Sequence, residues 1–351
     1  MNENNRHEVL IKLGRNSPNK FYHLIIIHMS IRKIITLILV CAAPFSAFAQ
    51  EPVKADTLIK KLDSLAKKTD SVGVQNNNIN PAAYNDVTKL TPKSYFILLG
   101  SDIKQEFTKP FHMKRKDWFN LGKFALVEVA VGFADEPIQK NALALRNKSS
   151  GVRNIGGFIT HFGGVYEFAS LGAFGLYGIL AKSEKVKTTT LLATQSVITA
   201  VLAEAVIKTL MGRTRPNYYP TTVEAEPKFL GPFGKTGKDA NGKSSNSSFP
   251  SGHTTAAFSA ATVFAIEYKN KPYIPIIAYS AATLVGLSRI TENKHWATDV
   301  IAGAALGYLN GRQVSFNYHR YAKIKNGQKN KVAFNLSYDF GKVMPGLVWK
   351  L

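Results

Sequence analysis

The chain has 351 residues, with 45 Lys and Arg against 23 Asp and Glu and a formal net charge of +22. Such a balance favours anionic partners, whether phosphates, acidic lipids or nucleic acid. The sequence has no paired CxxC, no helix-turn-helix pattern and no basic stripe interleaved with aromatics, so a nucleic-acid partner is not expected. A single cysteine, Cys41, gives neither a disulfide framework nor a Cys-ligated metal site. The length suits one main domain with appendages.

The N-terminal region has the pattern of a secretory signal that begins at Met29. Ser30-Ile31-Arg32-Lys33 is a basic n-region, Ile34 to Ala43 a short apolar core, and Ala47-Phe48-Ala49 a small-x-small cleavage site. We therefore expect residues 1–28 not to be translated and 29–49 to be removed after Ala49, taking Cys41 with them. The apolar core ends at Pro44 and falls short of the roughly 20 residues needed to span a bilayer.

Residues 50–92 read as a polar tether. One helical stretch around Leu58, Leu62 and Leu65 is followed by Asn76-Asn77-Asn78 and by breaks at Pro81 and Pro92. From residue 93 the aromatics Tyr95, Phe96, Phe107, Phe111, Trp118 and Phe119 lie near Lys or Arg. That is the pattern of short amphipathic helices at an interface, or equally of packing against the segments that follow.

Six apolar segments rich in Ala and Gly come next, at 121–134, 155–181, 189–211, 252–268, 273–290 and 296–313. None shows strand alternation, and together they predict an all-α fold, a bundle of about six core helices in a domain spanning 93–315. The remaining 316–351 form a basic tail. Its stretch 332–340 alternates with period two and predicts a short hairpin closing on Gly346-Leu347-Val348-Trp349.

Three clusters of ionisable residues fall at the ends of these segments. The first is Lys208 and, after six residues, Arg215-Pro216; helical rise puts the two cations about two turns apart, within reach of one anion. The second is Pro250-Ser251-Gly252-His253, a turn with a natural N-cap serine ahead of an apolar helix, whose free N–H groups suit an anion. The third is Ser288-Arg289, then His295, then Asp299. At helical spacing Asp299 would bond one ring nitrogen of His295 and leave the other nucleophilic. Asp135, Glu136, His161 and Glu167 fit no motif and read as satisfied buried groups or helix ends.

Together the clusters resemble the signature KxxxxxxRP, PSGH and SRxxxxxHxxxD of the type 2 phosphatidic acid phosphatase superfamily, with every fixed position present over residues 200–305. The resemblance implies that His295 attacks phosphorus and becomes a phosphohistidine, with Asp299 orienting it. His253 would protonate the leaving alkoxide and then help activate water. Lys208, Arg215, Arg289, Ser251 and the Gly252 amide would cradle the phosphoryl oxygens. Three fixed cations do the work a metal does elsewhere, so no metal or cofactor is expected, and no HExxH spacing is present.

The expected substrate is an anionic phospholipid or another phosphorylated compound. Vanadium haloperoxidases share this type of site, and a non-catalytic binder of lipid headgroups is a further alternative. The stretch Asn217 to Phe249 is too long for a plain connector and is expected to form a lid or selecting loop. If 121–134 is too short to cross a membrane, the five remaining segments place all three motifs on the outer, periplasmic side. Glu204, Lys208, Gln195 and Glu267 punctuate the segments, and a soluble periplasmic acid phosphatase stands as the alternative.

Overall fold

The computed structural model describes residues 86–219, 223–234, 245–329, 332–339 and 342–349, the last two stretches as backbone only. The signal peptide, the start at Met29, the tether up to residue 85 and the middle of the 217–249 loop lie outside the described residues.

The fold is all-α as expected, with nine α-helices among the described residues and one C-terminal hairpin. In chain order they are α1 (Pro92–Thr108), α2 (Arg115–Gly132), α3 (Asp135–Lys148), α4 (Ser150–Ile159), α5 (Val165–Leu180), α6 (Glu184–Met211), α7 (Gly252–Glu267), α8 (Tyr273–Thr291) and α9 (Ala297–Lys329). The hairpin pairs β1 (Val332–Asp339) with β2 (Lys342–Trp349), register Val332 to Trp349 and Asn335 to Gly346.

All six apolar segments lie on helices, but 155–181 is two. A 3-10 turn at Thr160–Gly163 separates α4 from α5, because Gly163 and Gly164 approach α7 too closely for a continuous helix with side chains to pass. Pro92, expected as a break, is the first residue of α1. Its missing N–H costs nothing there, and Thr91 and Ser94 close a capping box ahead of it. Nor does α9 stop at the composition change near residue 315. It runs on to Lys329, with Val314, Tyr318 and Ala322 still buried on one face.

Helix α7 is central and packs against α6, α8 and α9. Its contact with α9 is unusually close: a Cβ on Gly303, Gly307 or Gly311 would fall within 2.6 Å of a carbonyl oxygen of Ser251, Thr255 or Ser259 respectively. Small residues every four positions let the two backbones touch along three turns. Leu192, Val197, Ala256, Ala260, Val263 and Val314 supply the apolar core.

Beside that core lies a buried polar network. Asn310 accepts from Thr199 Oγ1 at 2.8 Å and donates to Glu106 at 2.5 Å, while Asp102 accepts from Asn317 at 2.5 Å and from Gln195. Buried polar groups are tolerable only when so satisfied. Outside, the pattern inverts. Helix α2 buries no residue and exposes Trp118, Phe119, Leu126 and Val129; α5 exposes Val165, Phe168, Leu176, Ile179 and Leu180; α8 exposes Ile276 and Ile277.

The last residues before α1 are not loose. Thr88 exchanges two hydrogen bonds with the Tyr318 hydroxyl, at 3.1 and 2.8 Å, and His319 Nδ1 donates to the Asp86 carbonyl at 2.7 Å.

Candidate active site

Four helix termini meet at one end of the bundle: the C-terminal ends of α6 and α8 and the N-terminal ends of α7 and α9. Each carries part of the expected site. Lys208 lies in the last turn of α6 and pairs with Glu204 one turn before it. Gly252, first residue of α7, sits over that pair; a Cβ on it would lie 2.7 Å from Glu204 Oε1 and 3.3 Å from Lys208 Nζ. With glycine there the helix start approaches the pair closely, and a side chain would press on the ends of Glu204 and Lys208.

The helical spacing expected between Lys208 and Arg215 does not hold, because α6 ends at Met211. Gly212 takes the left-handed C-cap conformation (φ +55°), and a side chain on it would strike the Gly231 carbonyl. Residues 213–215 then run extended between two stretches of the long loop. Thr214 and Leu230 bond to Lys228 and Gly212 on one side, at 2.9 and 3.1 Å; Ser248 and Arg215 bond to Arg213 and Ser245 on the other, at 2.9 and 2.8 Å. Both described ends of the 217–249 loop are thus fixed to the first motif, and Arg215 donates to the Ser247 carbonyl at 3.1 Å.

Ser251 occupies the N-cap position of α7, but its hydroxyl makes no cap bond; it accepts from Thr254 Oγ1 at 2.9 Å. Its own N–H donates to the Asp299 carbonyl at 2.9 Å, tying α7 to α9 at the site. His253 follows in the first turn, enclosed by the glycines between α4 and α5. A Cβ on Gly163 would strike the His253 backbone, and one on Gly164 would come within 3.3 Å of His253 Nε2. The same turn supplies Thr160, whose hydroxyl accepts from the buried Arg289.

His295 is 1 % exposed and precedes α9 rather than lying on it. Its Nδ1 donates to the Ser248 carbonyl at 2.7 Å, whereas Asp299 Oδ2 stands 3.6 Å away. Asp299 is therefore not the main acceptor that spacing suggested. Its carboxylate is spent elsewhere: Oδ2 accepts from the Trp296 N–H at 2.8 Å and the Ser248 hydroxyl at 2.5 Å, and Oδ1 from Arg213 Nη1 at 2.6 Å. Ser248 thus bridges the two, accepting from His295 on its carbonyl and donating to Asp299 from its hydroxyl.

Burial pushes the His295 proton affinity well below the ordinary histidine value, and the positive charges of Arg215, Arg289, Lys208 and His253 push it the same way. All four expected neighbours are therefore within electrostatic reach of one ring. With Nδ1–H committed to a carbonyl, the neutral ring carries its lone pair on Nε2. A neutral imidazole within electrostatic reach of several cations is an arrangement able to attack an electrophile that carries negative charge.

Several residues of this site carry no motif signal. Arg213, two positions before Arg215 in an extended run, also donates to Thr298 Oγ1 and to Asp135 Oδ2, each at 2.6 Å. Trp296 is fully buried and donates from Nε1 to the Thr214 carbonyl at 2.8 Å. Asp135, at the start of α3, is a fully satisfied buried group, and its partners are site residues. His161 stacks near Tyr166 in the α4–α5 turn, and Glu167 is buried in the first turn of α5.

Residues 189–322 match the family model of the PAP2 superfamily. The chain is 46% identical over 80 residues to a lipid A 1-phosphatase of Porphyromonas gingivalis, covering 22% of this chain and 17% of that protein. It is 33% identical over 127 residues to lipid phosphate phosphatase 1 of Arabidopsis thaliana, covering 32% and 38% of the two chains. Against phosphatidylglycerophosphatase B of Bacillus subtilis it is 31% identical, covering 31% and 47%. The chain thus spans less than half the length of each of these curated relatives. Among solved structures, a transmembrane PAP2-type phosphatidylglycerolphosphate phosphatase from Bacillus subtilis aligns with a TM-score of 0.40 and 24% identity, covering 59% of this chain and 94% of that one.

Proposed function

We propose, from the match of residues 189–322 to the PAP2 superfamily model, that the protein is a metal-independent phosphatase acting on phosphorylated membrane lipids. The observation that carries the reading is His295 at one end of the bundle, its Nδ1–H committed to the Ser248 carbonyl, with burial and then the charges of Arg215, Arg289 and Lys208 holding its proton affinity down.

In the proposed reaction, His295 Nε2 attacks phosphorus. The P–O bond to the leaving group breaks, its electron pair passes to that oxygen, and His253 gives it a proton. Water then attacks the phosphohistidine, losing a proton to His253, and inorganic phosphate leaves. Lys208, Arg215 and Arg289, with the Ser251 hydroxyl and the Gly252 N–H, hold the charge that builds on the phosphoryl oxygens. Gly252 suits that role because its missing side chain brings the α7 start against Lys208.

The lipid setting is supported by the inverted surface. Among the described residues, two helices are long and apolar enough to cross a bilayer, Glu184–Met211 and Tyr273–Thr291, with Val165–Leu180 apolar but shorter. Large apolar side chains cover the outside of α2, α5 and α8 while Gln195, Ser196, Thr199, Ser259 and Asn310 are buried inside. Exposed apolar area of this extent calls for a partner phase, and the relatives named above act on lipids by their names. A signal peptide at 29–49 and a site on the periplasmic side complete the proposal.

The test is phosphate release from a panel of phosphatidate, phosphatidylglycerol phosphate, polyprenyl pyrophosphate, lipid A phosphates and a soluble aryl phosphate. His295→Ala is expected to lower turnover by more than about 10⁴-fold and Arg215→Ala by roughly 10²–10³-fold or more, while a chelator leaves wild-type turnover intact. Inhibition by chelator that one divalent metal reverses sinks the assignment.

A further inference from the structure

We infer that Arg213 and Asp135 act as positioning residues that set how much negative charge Asp299 presents to His295. The inference rests on the reading of His295 as the nucleophile.

Arg213 is 3 % exposed. Its Nη1 lies 2.6 Å from Asp299 Oδ1 and from Thr298 Oγ1, and its Nη2 lies 2.6 Å from Asp135 Oδ2. Asp135 is held in turn by Thr298, through its N–H at 3.0 Å and its hydroxyl at 2.6 Å. One guanidinium thus lies between two fully buried carboxylates, and Thr298 fixes the spacing of all three.

The consequence falls on His295. An aspartate free to close on Nδ1 would stabilise imidazolium and make the ring a stronger base but a protonated, spent nucleophile at neutral pH. Here Arg213 draws Asp299 aside and neutralises much of its charge, and the neutral Ser248 carbonyl takes the Nδ1–H. Asp135 limits that effect, since it competes with Asp299 for the same guanidinium. The charged and titratable groups around the pair come from every neighbouring element: Glu204 and Lys208 on α6, Arg215 beside Arg213, His253 on α7, Arg289 and Glu292 at the end of α8, Lys294 before His295, and Glu128 on α2. Arg213 bonds Asp299 and Asp135 bonds Arg213, so the two act on the ring with opposite charges and their neutralisation should move its titration in opposite senses.

The test compares wild type with Arg213→Gln and Asp135→Asn. The acid limb of kcat/KM against pH, and the titration of His295 itself followed by NMR of histidine-labelled protein in detergent, are both recorded. The His295 resonance is assigned by its loss in His295→Ala. Removing the cation should move the His295 titration up by about one pH unit, and neutralising Asp135 should move it down by about half a unit, the sizes expected of a unit charge a few ångströms away in a protein-like medium. Shifts in the same direction, or none in either variant, overturn the inference. If Arg213→Gln does not fold, the isosteric Asp135→Asn decides alone: a downward shift supports the role, and an upward shift or none refutes it. The NMR titration needs no substrate, so a wild type that releases no phosphate defeats the proposed function while this outcome is still read separately.

Discussion

A histidine nucleophile must stay unprotonated while surrounded by the cations its substrate needs, and the two demands agree here because both lower its proton affinity. For His295 the neutral ring is the reactive form, and its folded-state affinity lies below the ordinary value of 6.5. As pH falls through 6.5, His295 therefore remains neutral, and the acid limb of kcat/KM is expected below that value; a limb at or above 6.5 contradicts it. The glycine turn offers a second check. A Cβ on Gly164 presses on His253 Nε2 at 3.3 Å, so Gly164→Ala should impair proton donation to the leaving group. Alkyl phosphates, whose alkoxides need that proton, should lose about tenfold or more in kcat, while an aryl phosphate with a stable phenolate should lose little. Equal losses on both substrates count against His253 as the acid. The motif residues were legible because each sits at a fixed spacing inside one short segment. Arg213, Asp135 and Ser248 were not, since they meet only through a turn at Gly212 and a loop closure that no local pattern encodes. The position of Asp299 misled for a related reason: helical spacing placed it near His295 but said nothing of Arg213 and Trp296, which claim its oxygens first.

At the scale of elements, apolar runs marked α2 and α4 to α9 in order, gave no sign of the polar α3, and missed where tertiary contact overrides pattern. The run 155–181 reads as one helix, yet Gly163 must pass against the His253 backbone and the helix breaks there. Pro92 reads as a break by composition alone, yet Thr91 before it makes it a helix start. The α7–α9 contact carries its own prediction. A Cβ on Gly307 would meet the Thr255 carbonyl at 2.3 Å and the Ser259 N–H at 2.9 Å, both backbone atoms with no rotamer to turn aside. Gly307→Leu should therefore destabilise the protein by about 3 kcal/mol or more, at or beyond the upper end for overpacking, read as a lowered thermal midpoint in detergent. Leu309→Ala, at a 56 % exposed position two residues on, should change it little.

Across the described helices a polar network is buried beside the apolar core while large apolar side chains face outward, which composition alone concealed because the charged loops bring the average down. In the proposed membrane setting, a tagged protein should resist osmotic shock and leave the membrane fraction only on addition of detergent. Release by shock alone would instead favour a soluble phosphatase whose exposed apolar faces meet another protein. The substrate class stayed open in the sequence because the motifs describe only the phosphoryl group, which every candidate shares.

The contact between α7 and α9 has one more consequence. Ser251, Gly252 and His253 start one helix, Asp299 starts the other with His295 just ahead of it, and the Ser251 N–H to Asp299 carbonyl bond clasps the two at the site. Backbone touching backbone leaves this pair no freedom to adapt. Changes of substrate preference, by natural drift or by engineering, should then accumulate in the α4–α5 turn and the 217–249 loop, and graftings that exchange those two segments between relatives while keeping Thr160, Gly163, Gly164, Ser245, Ser247 and Ser248, which hold the site, should trade selectivity without rebuilding the reaction.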